Sequence, residues 1–460
     1  MIRVFRVHVA APILALGVFD GLLLYLSISA GFGISLPNMS RALNAWHEEL
    51  WHCVFFVGLI MLSLLMMGLY QRQFISDPKV ALLRLIASFS TAVLAMSIVF
   101  YVFPGARIWM SALLPALAIG LIGVFLARLF FVRVADINAF KRRVLVFGSG
   151  SQAQEIESLE KLGAFRCVGF LKIGDEIPAV NASRVLDCRS DLADMIDKYD
   201  VDEVVVAIRE RRGAMPTNEL LACRMQGVQI SEFWTFMERQ KGQVELEELR
   251  PSWMIFSEGF SSRLRIQRMV KRTFDVVVSL LMLLFSLPVT TLAAAAVYLQ
   301  DRGPIFYRQE RVGLYGKTYY LLKFRSMRVD AEKDGVARWA ASNDSRVTPV
   351  GTFIRLTRID EIPQIYNVLR GEMSFIGPRP ERPTIVAELA KEIPYYNYRD
   401  AVKPGITGWA QINYPYGASV EDARQKLKFD LFYIKNYSLM LDCLILLQTV
   451  RVVLWPQGVR

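Results

Sequence analysis

Four stretches in the first third of the chain are almost free of polar positions: about Val9–Ser29, Trp51–Tyr70, Ala81–Phe103 and Ile108–Val132. Each approaches the ~20 apolar residues that a helix needs to cross a ~30 Å hydrocarbon core. The pattern predicts four membrane-spanning helices. Because three more runs follow the first, it does not read as a cleavable signal peptide. Arg3 and Arg6 precede the first run. Arg72, Lys79 and Arg84 fall around the second loop, and Arg133, Lys141, Arg142 and Arg143 follow the fourth run. The first loop carries Glu48 and Glu49 instead. Cationic residues stay on the cytoplasmic side, so both ends of the bundle are expected to face the cytoplasm. Asp20, a polar exception in the first run, is expected to pack inside the bundle.

The periodicity then changes. "RRVLVFGSGSQAQEIESL" reads as strand, glycine turn and helix, and "DVDEVVVAIRE" supplies a buried-type strand at Val204–Ile208. Residues 141–241 are predicted as a Rossmann-like α/β domain of the coenzyme-A-binding kind. Gly148, Gly150 and Ala153 match a G-x-G-x-x-A dinucleotide turn. A tight strand-to-helix turn needs the same small residues for backbone reasons, and no ribose-binding acid can be placed after it. No cofactor site is assigned there.

A linker of mixed polarity over residues 242–264 leads to a basic patch, Arg263, Arg265, Arg268, Lys271 and Arg272, and then to a fifth apolar run, roughly Phe274–Leu299. Arg302, Arg308, Arg311, Lys317, Lys323 and Arg325 follow it. A straight crossing would leave one basic cluster outside. Pro288, after Ser286, sits near the middle and is expected to break or kink the helix. Two half-helices of about 13 residues, ~20 Å each, are too short to cross singly. The expectation is a re-entrant hairpin over about residues 270–300 hinged at Ser286 and Pro288; an ordinary fifth span is the alternative. Residues 265–460 then read as a basic, α-rich domain with short helical patterns and many turns. Its last run, about Leu439–Leu454, is interrupted by Asp442, Gln448 and Arg451 and suits a helix lying in the interface.

Composition narrows the chemistry. The 460 residues carry a formal net charge of +11, which fits a phosphate-rich partner, although orientation signals alone make membrane proteins basic. Cys53, Cys167, Cys188, Cys223 and Cys443 show no CxxC spacing, which argues against a zinc site or a disulfide framework. His8, His47 and His52 are the only histidines. Chemistry further along the chain must work without one.

The stretch "TRIDEIPQIYNVLRGEMSFIGPRPE" places Asp360 and Glu361 side by side among Arg355, Arg358, Arg370, Arg379 and Arg382. Pro363 is tolerated in a first helical turn, so a helix is predicted to begin here with Asp360 at or near its N-cap. A helix N-terminus also receives phosphate. A carboxylate belongs at a phosphate site if a divalent cation joins them, or if the carboxylate attacks phosphorus.

From about Arg268 to Leu454 the sequence resembles the bacterial sugar transferases, the polyprenyl-phosphate glycosyl-1-phosphate transferases. The resemblance rests on "KRTFDVVVSLLMLLFSLPV", "GPIFYRQERVGLYGKTYYLLKFRSM", "NDSRVTPVGTFIRLTRIDEIPQIYNVLRGEMSFIGPRP", "KPGITGWAQI" and "KFDLFYIKNYSLMLDCLILLQTV", in the family's order. The four spans and the α/β domain resemble the family's long form, which starts exopolysaccharide or O-antigen synthesis. The resemblance implies that residues 265–460 are a monotopic catalytic domain. The resemblance implies that Asp360 is the nucleophile on the sugar-bearing phosphorus of a UDP-sugar. It implies that Glu361 completes an acidic dyad, both residues being candidates to hold Mg²⁺. Pro378, Arg379 and Pro380 look like the family's Pro-Arg-Pro motif near the nucleotide. Lys323, Arg325 and Arg355 are phosphate-contact candidates; Asp430 and Lys435 lie in the matching C-terminal stretch. Two positions depart from the pattern: Ser286-Leu287-Pro288 separates a serine and proline expected side by side, and Ser326 stands where threonine is common.

The implied partners are a UDP-sugar, undecaprenyl phosphate and the lipid bilayer, with no nucleic acid; the long form admits a homodimer. The implied place is the cytoplasmic face of the bacterial inner membrane. Two rivals remain. A membrane-anchored nucleotide-sugar dehydratase or epimerase would need a Tyr-x-x-x-Lys pair, and Tyr199 is the single tyrosine of residues 141–241. A scaffold that binds nucleotide without catalysis would leave the acidic pair idle.

Overall fold

The computed structural model describes residues 2–4, 7–9, 11–35, 50–70, 78–134, 141–160, 165–173, 177–186, 192–208, 215–246, 249, 254, 260, 265–328, 331, 346–415, 417 and 419–454. Most of the predicted linker, Arg72 and the side chains of Arg263 and Arg265 therefore lie outside the described residues. The chain forms two compact units, Met1–Lys241 and Gly242–Arg460.

The first unit opens with a short hairpin of β1 (Ile2–Val4) and β2 (Val7–Val9). Four helices follow where the apolar runs predict them: α1 (Ala11–Ser35), α2 (Leu50–Met66), α3 (Pro78–Val102) and α4 (Met110–Val134). Leu24, Ile28, Phe56, Ile60, Leu85 and Ala116 fill the space between them. Leu22, Leu83, Leu94, Ile122 and Phe130 point outward, as lipid-facing positions do. By length and apolarity, stretches of α1, α3 and α4 could cross a membrane, while α2, at 17 residues, is shorter. The second apolar run ends its helix early because the chain turns at Gly68, in the left-handed region at φ 71°. That turn carries Tyr70 to Asp20: the hydroxyl donates to Oδ2 at 2.8 Å, and Arg128 Nη2 pairs with the same oxygen at 2.7 Å. Asp20 is fully buried within the bundle, as expected, and Arg128 is its counter-charge.

The α/β part contains β3 (Arg142–Phe147), α5 (Ser151–Glu160), β4 (Phe165–Leu171), β5 (Val185–Leu186), α6 (Leu192–Tyr199), β6 (Glu203–Val206), α7 (Thr217–Met225), β7 (Gln229–Glu232) and α8 (Phe233–Lys241). The five strands are parallel in the order β5-β4-β3-β6-β7. Counted within the sheet this is 3-2-1-4-5, the order of a Rossmann half. Hydrophobic strands such as Val204–Val206 are buried along their length because helices cover both faces. Gly148 follows β3 at φ 130°, and a Cβ there would lie 2.3 Å from the carbonyl oxygen of Ala207. The glycine turn is thus required by strand packing. The residue just beyond β4, where the dinucleotide fold carries its ribose-binding acid, is Lys172. Gly148→Ala is expected to destabilise this sheet by about 2 kcal/mol or more. Faster hydrogen exchange in β3 and β6 would report it.

The second unit begins with α9 (Arg265–Asp301), one helix with Pro288 inside it. The two separate half-helices expected from the proline are not seen: the helix continues through Ser286 and Pro288. Thr290 Oγ1 donates to the Leu287 carbonyl at 2.9 Å, and Thr291 donates to the same oxygen, adding side-chain bonds to the backbone beside the proline. Lys271, Asp275 and Ser279 are buried near the start of α9, and Ala293 and Val297 near its end. Between them Leu280, Leu281, Met282, Leu284, Phe285 and Leu287 are all exposed. An apolar middle held out from the protein at both flanks is a surface suited to lipid.

After α9 come the antiparallel pair β8 (Phe306–Val312) and β9 (Thr318–Phe324), then α10 (Pro349–Leu356), α11 (Gln364–Arg370), β10 (Ser374–Ile376), α12 (Pro383–Glu392), β11 (Gly405–Thr407), α13 (Trp409–Asn413), α14 (Val420–Lys435) and α15 (Leu439–Leu454). β10 and β11 pair in parallel. The core joins Phe375 and Ile376 to Leu389, Tyr396, Leu431, Ile434 and Ile445. α15 is a helix as predicted, but Asp442 does not mark a solvent face. It is fully buried, with Lys271 Nζ 2.9 Å from Oδ2 and the Tyr433 hydroxyl donating to Oδ1 at 2.8 Å.

Candidate active site

The acidic pair sits in the connection between α10 and α11. Thr348 caps α10, its Oγ1 accepting from Gly351 N at 3.0 Å, and Pro349 follows at the first helical position. After Leu356 the chain turns through Arg358 in the left-handed region (φ 59°, ψ 13°) and forms a 3₁₀ turn over Ile359–Glu361 that runs into α11. A non-glycine residue there is strained, and such strain gathers where the surrounding structure fixes a functional group.

Asp360 is not the helix cap that its position suggests. Pro363 occupies the N-cap of α11, and no side chain caps that helix. The amides of Glu361, Ile362, Ile365 and Tyr366 each donate to a carbonyl three residues back. They are not free to receive a phosphate, because the 3₁₀ turn has already used them. The bare helix end expected as a phosphate site is therefore not formed by these four amides, and the charged groups around the acidic pair are side chains.

Those side chains arrive from two other elements. Lys323 Nζ, near the end of β9, lies 3.0 Å from Glu361 Oε1, and Arg379 Nη2, in the loop after β10, lies 2.8 Å from the same oxygen. Burial pushes the Glu361 carboxyl up, but Arg379 and Lys323 together outweigh it and hold the group well below the usual carboxylate range. Burial also pushes the Lys323 ammonium down, against the pull of Glu361.

Asp360 differs from its neighbour. It is 8% exposed, yet among the described residues no hydrogen bond or ion pair engages its carboxylate. Burial raises its pKa; Lys323 opposes this, Glu361 adds to it, and Arg355 and Arg358 oppose it further. One carboxylate is pinned by two cations, and the other is left with its oxygens uncommitted. That is a division of labour between adjacent acids.

Arg355 is held by Ser326, whose Oγ accepts from its Nε at 2.9 Å, and it acts on Asp360 through its charge. Arg325 stands elsewhere: it is paired with Asp301 at the end of α9. Pro378 and Pro380 frame Arg379, and their carbonyls are bonded by Gly405 N at 2.9 Å and Arg311 Nη1 at 3.0 Å. Ser286 and Pro288 lie in the exposed middle of α9. Sequence reasoning does not single out Arg311, Tyr396 and Arg399. Arg399 donates to the Arg379 carbonyl at 2.8 Å, to Asp430 Oδ2 at 3.1 Å and to the Tyr396 hydroxyl at 2.7 Å. The signal was Asp430 itself, a carboxylate flanked by Leu427, Leu431 and Ile434 on the inward face of α14. Such a position calls for a buried cation.

Fold and site together describe a membrane-attached protein with a cation-lined pair of carboxylates. The family model "Bacterial sugar transferase" matches residues 266–456. Over 130 residues the chain is 49% identical to a putative undecaprenyl-phosphate N-acetylgalactosaminyl 1-phosphate transferase of Bacillus subtilis (strain 168), covering 28% of this chain and 72% of that protein. The chain belongs to the bacterial sugar transferase family. It is 37% identical over 272 residues to the UDP-N-acetylgalactosamine-undecaprenyl-phosphate N-acetylgalactosaminephosphotransferase of Aeromonas hydrophila, covering 58% of this chain and 63% of that protein. It is 44% identical over 187 residues to the UDP-glucose:undecaprenyl-phosphate glucose-1-phosphate transferase of Escherichia coli (strain K12), covering 40% of each chain. These two matches span less than two thirds of the relatives' own length.

Proposed function

We propose that the chain transfers a sugar 1-phosphate from a UDP-sugar to undecaprenyl phosphate at the cytoplasmic face of the bacterial inner membrane, starting exopolysaccharide or a related glycan. The carrying observation is Asp360, a carboxylate unengaged by hydrogen bonds beside a partner tied down by two cations. An Asp360 oxygen attacks the sugar-bearing phosphorus. The new O–P bond forms as the bridging P–O bond breaks, and UMP leaves with that electron pair. An oxygen of undecaprenyl phosphate then attacks the same phosphorus, and the aspartyl O–P bond breaks to restore the carboxylate. Lys323 and Arg379 neutralise charge near the phosphates and hold Glu361, while Arg355 adds positive charge that acts on Asp360.

Magnesium fits this donor set, since it needs only one or two carboxylates alongside phosphate oxygens and water. Asp360 and the Glu361 oxygen not used by Lys323 and Arg379 would hold it, and when bound it would supply charge neutralisation on the diphosphate. The exposed middle of α9 supports a re-entrant membrane element, which would keep the Asp360 turn at the height of the acceptor's phosphate. Relatives named for N-acetylgalactosamine, glucose and galactose share this chemistry, so the sugar is left to experiment.

The test is UMP release by the purified protein in vesicles with undecaprenyl phosphate and Mg²⁺, across a panel of UDP-sugars. One donor should support turnover. Without acceptor, that donor should give a stoichiometric UMP burst and leave a phosphosugar on the peptide containing Asp360. Turnover without a burst would replace the covalent route with direct transfer, and silence across the panel would refute the reading.

A further inference from the structure

The helix α9 is fastened to the second unit at both ends. Near its start, Lys271 Nζ lies between Asp442 Oδ2 (2.9 Å) and Asp275 Oδ1 (3.3 Å), and Arg272 donates to the carbonyls of Val368 and Leu369, each at 2.6 Å. At its end, Asp301 accepts from Arg325 Nη2 and from Gly303 N at 3.1 Å, and Gln300 Oε1 accepts from Val350 N at 3.3 Å. Just before that end, Ala293 and Val297 pack with Phe324 and Ile354, and with Ile359, the residue that precedes Asp360. The last turns of the membrane helix therefore touch the turn that carries the acidic pair.

Arg325 is built into this junction. Its side chain is 8% exposed, and Nη1 is buried with no hydrogen-bond partner among the described residues. Gly303 leaves the room it occupies: a Cβ there would lie 2.1 Å from Nη1. A guanidinium seated this way is committed to the helix end and is not presented to a nucleotide beside Glu361.

We propose that Arg325, acting through Asp301, is a positioning residue that fixes where α9 meets the Asp360 turn, and so sets the approach of the lipid-phosphate acceptor. The inference rests on the transfer reading. The acceptor is confined to the bilayer, so only its approach depends on how high the Asp360 turn stands above the membrane. The water-soluble donor arrives from the aqueous phase and does not depend on that height. A misplacement of ~1 Å costs on the order of 10²-fold in rate when it separates reacting atoms. Here the loss falls on the acceptor step.

The experiment uses the full chain in vesicles containing undecaprenyl phosphate, with Arg325→Gln, Asp301→Asn and the conservative Arg325→Lys. Three quantities are read: KM for acceptor and donor separately, the UMP burst without acceptor, and hydrogen exchange along α9. In Arg325→Gln and Asp301→Asn the acceptor KM should rise about tenfold, while the donor KM and burst stay within about twofold. Arg325→Lys should recover most of the loss. Exchange should quicken at Ala293–Asp301 and Ile359–Glu361 and stay unchanged at Lys271–Ser279. A raised donor KM or lost burst with unaltered exchange would make Arg325 a donor ligand and overturn the proposal, as would no change in any quantity. If Arg325→Gln does not fold, Asp301→Asn carries the same comparison. If the wild type gives neither burst nor turnover, the transfer reading fails, and the exchange pattern still decides whether the junction fixes α9.

Discussion

Asp360→Asn abolishes UMP release, with a loss on the order of 10⁴-fold or more, because the amide oxygen cannot form the aspartyl phosphate. A loss of that size corresponds to about 5.5 kcal/mol of transition-state stabilisation. Retained release would remove Asp360 as the nucleophile and reduce it to a structural acid. The acid limb of the pH profile carries a second signature. Attack needs the ionised carboxylate, and burial raises the Asp360 pKa, so the burst rate should fall at a pH above that of an ordinary aspartate. Glu361 stays ionised there because Arg379 and Lys323 outweigh its burial. A single ionisation should therefore shape the limb. Glu361→Gln removes a negative neighbour that raises Asp360, so the limb should move to lower pH. The same change frees Lys323 and Arg379 from their anchor, and the rate should drop by about 10²-fold. Burst kinetics of the three proteins between pH 4 and 8 decide these outcomes.

What the sequence made legible was local. The apolar runs named α1 to α4 because a membrane helix is written in one continuous segment. The acidic pair stood out because two carboxylates among arginines need a reason. Partners distant in sequence were not legible. Nothing near Asp20 announces Arg128, and nothing near Asp442 announces Lys271; a buried carboxylate predicts that a cation exists, not which one. Local rules also misled where tertiary structure overrode them. Asp360 has the identity and spacing of an N-cap, but the 3₁₀ turn consumes the amides it would cap. Pro288 predicts a break or a kink, and the helix carries through it without a break. Arg325, one residue past the end of β9, sits two residues from Lys323, so a chain that stays extended would put their side chains on the same face. Only the placement of the last turn of α9 shows that one meets Glu361 and the other Asp301. The Pro-Arg-Pro loop was legible as a motif, but not the arginines that hold it.

Arg399→Met tests that hold and should be the most destabilising single change in the second unit. Arg399 is buried, and its guanidinium joins the Arg379 carbonyl, Tyr396 and Asp430. Methionine fills much of the volume but leaves Asp430 buried without its counter-charge, a change that costs about 3–5 kcal/mol. The size should depend on pH in a defined direction. Burial already lifts the Asp430 pKa to about 6 against the opposing charge of Arg399, which is above its unfolded value. A raised acid contributes its stability below the unfolded pKa and loses it as pH rises through the folded one. Without Arg399 the folded pKa climbs further, so the loss continues to higher pH in the variant than in the wild type. The deficit should be smallest below pH 6 and widen above it by up to about 1.4 kcal/mol per pH unit, until Asp430 ionises in the variant as well. Thermal unfolding in detergent micelles at pH 5.5, 7 and 8 measures this, and a deficit independent of pH would show that Asp430 does not depend on Arg399. Asp430→Asn added to Arg399→Met should remove the pH dependence, because no buried carboxylate then remains at that position to titrate. Function should follow from the same bond. With the Arg379 carbonyl released, the Arg379 side chain loses its fixed path to Glu361, and the burst rate should fall even at a temperature where the variant is fully folded.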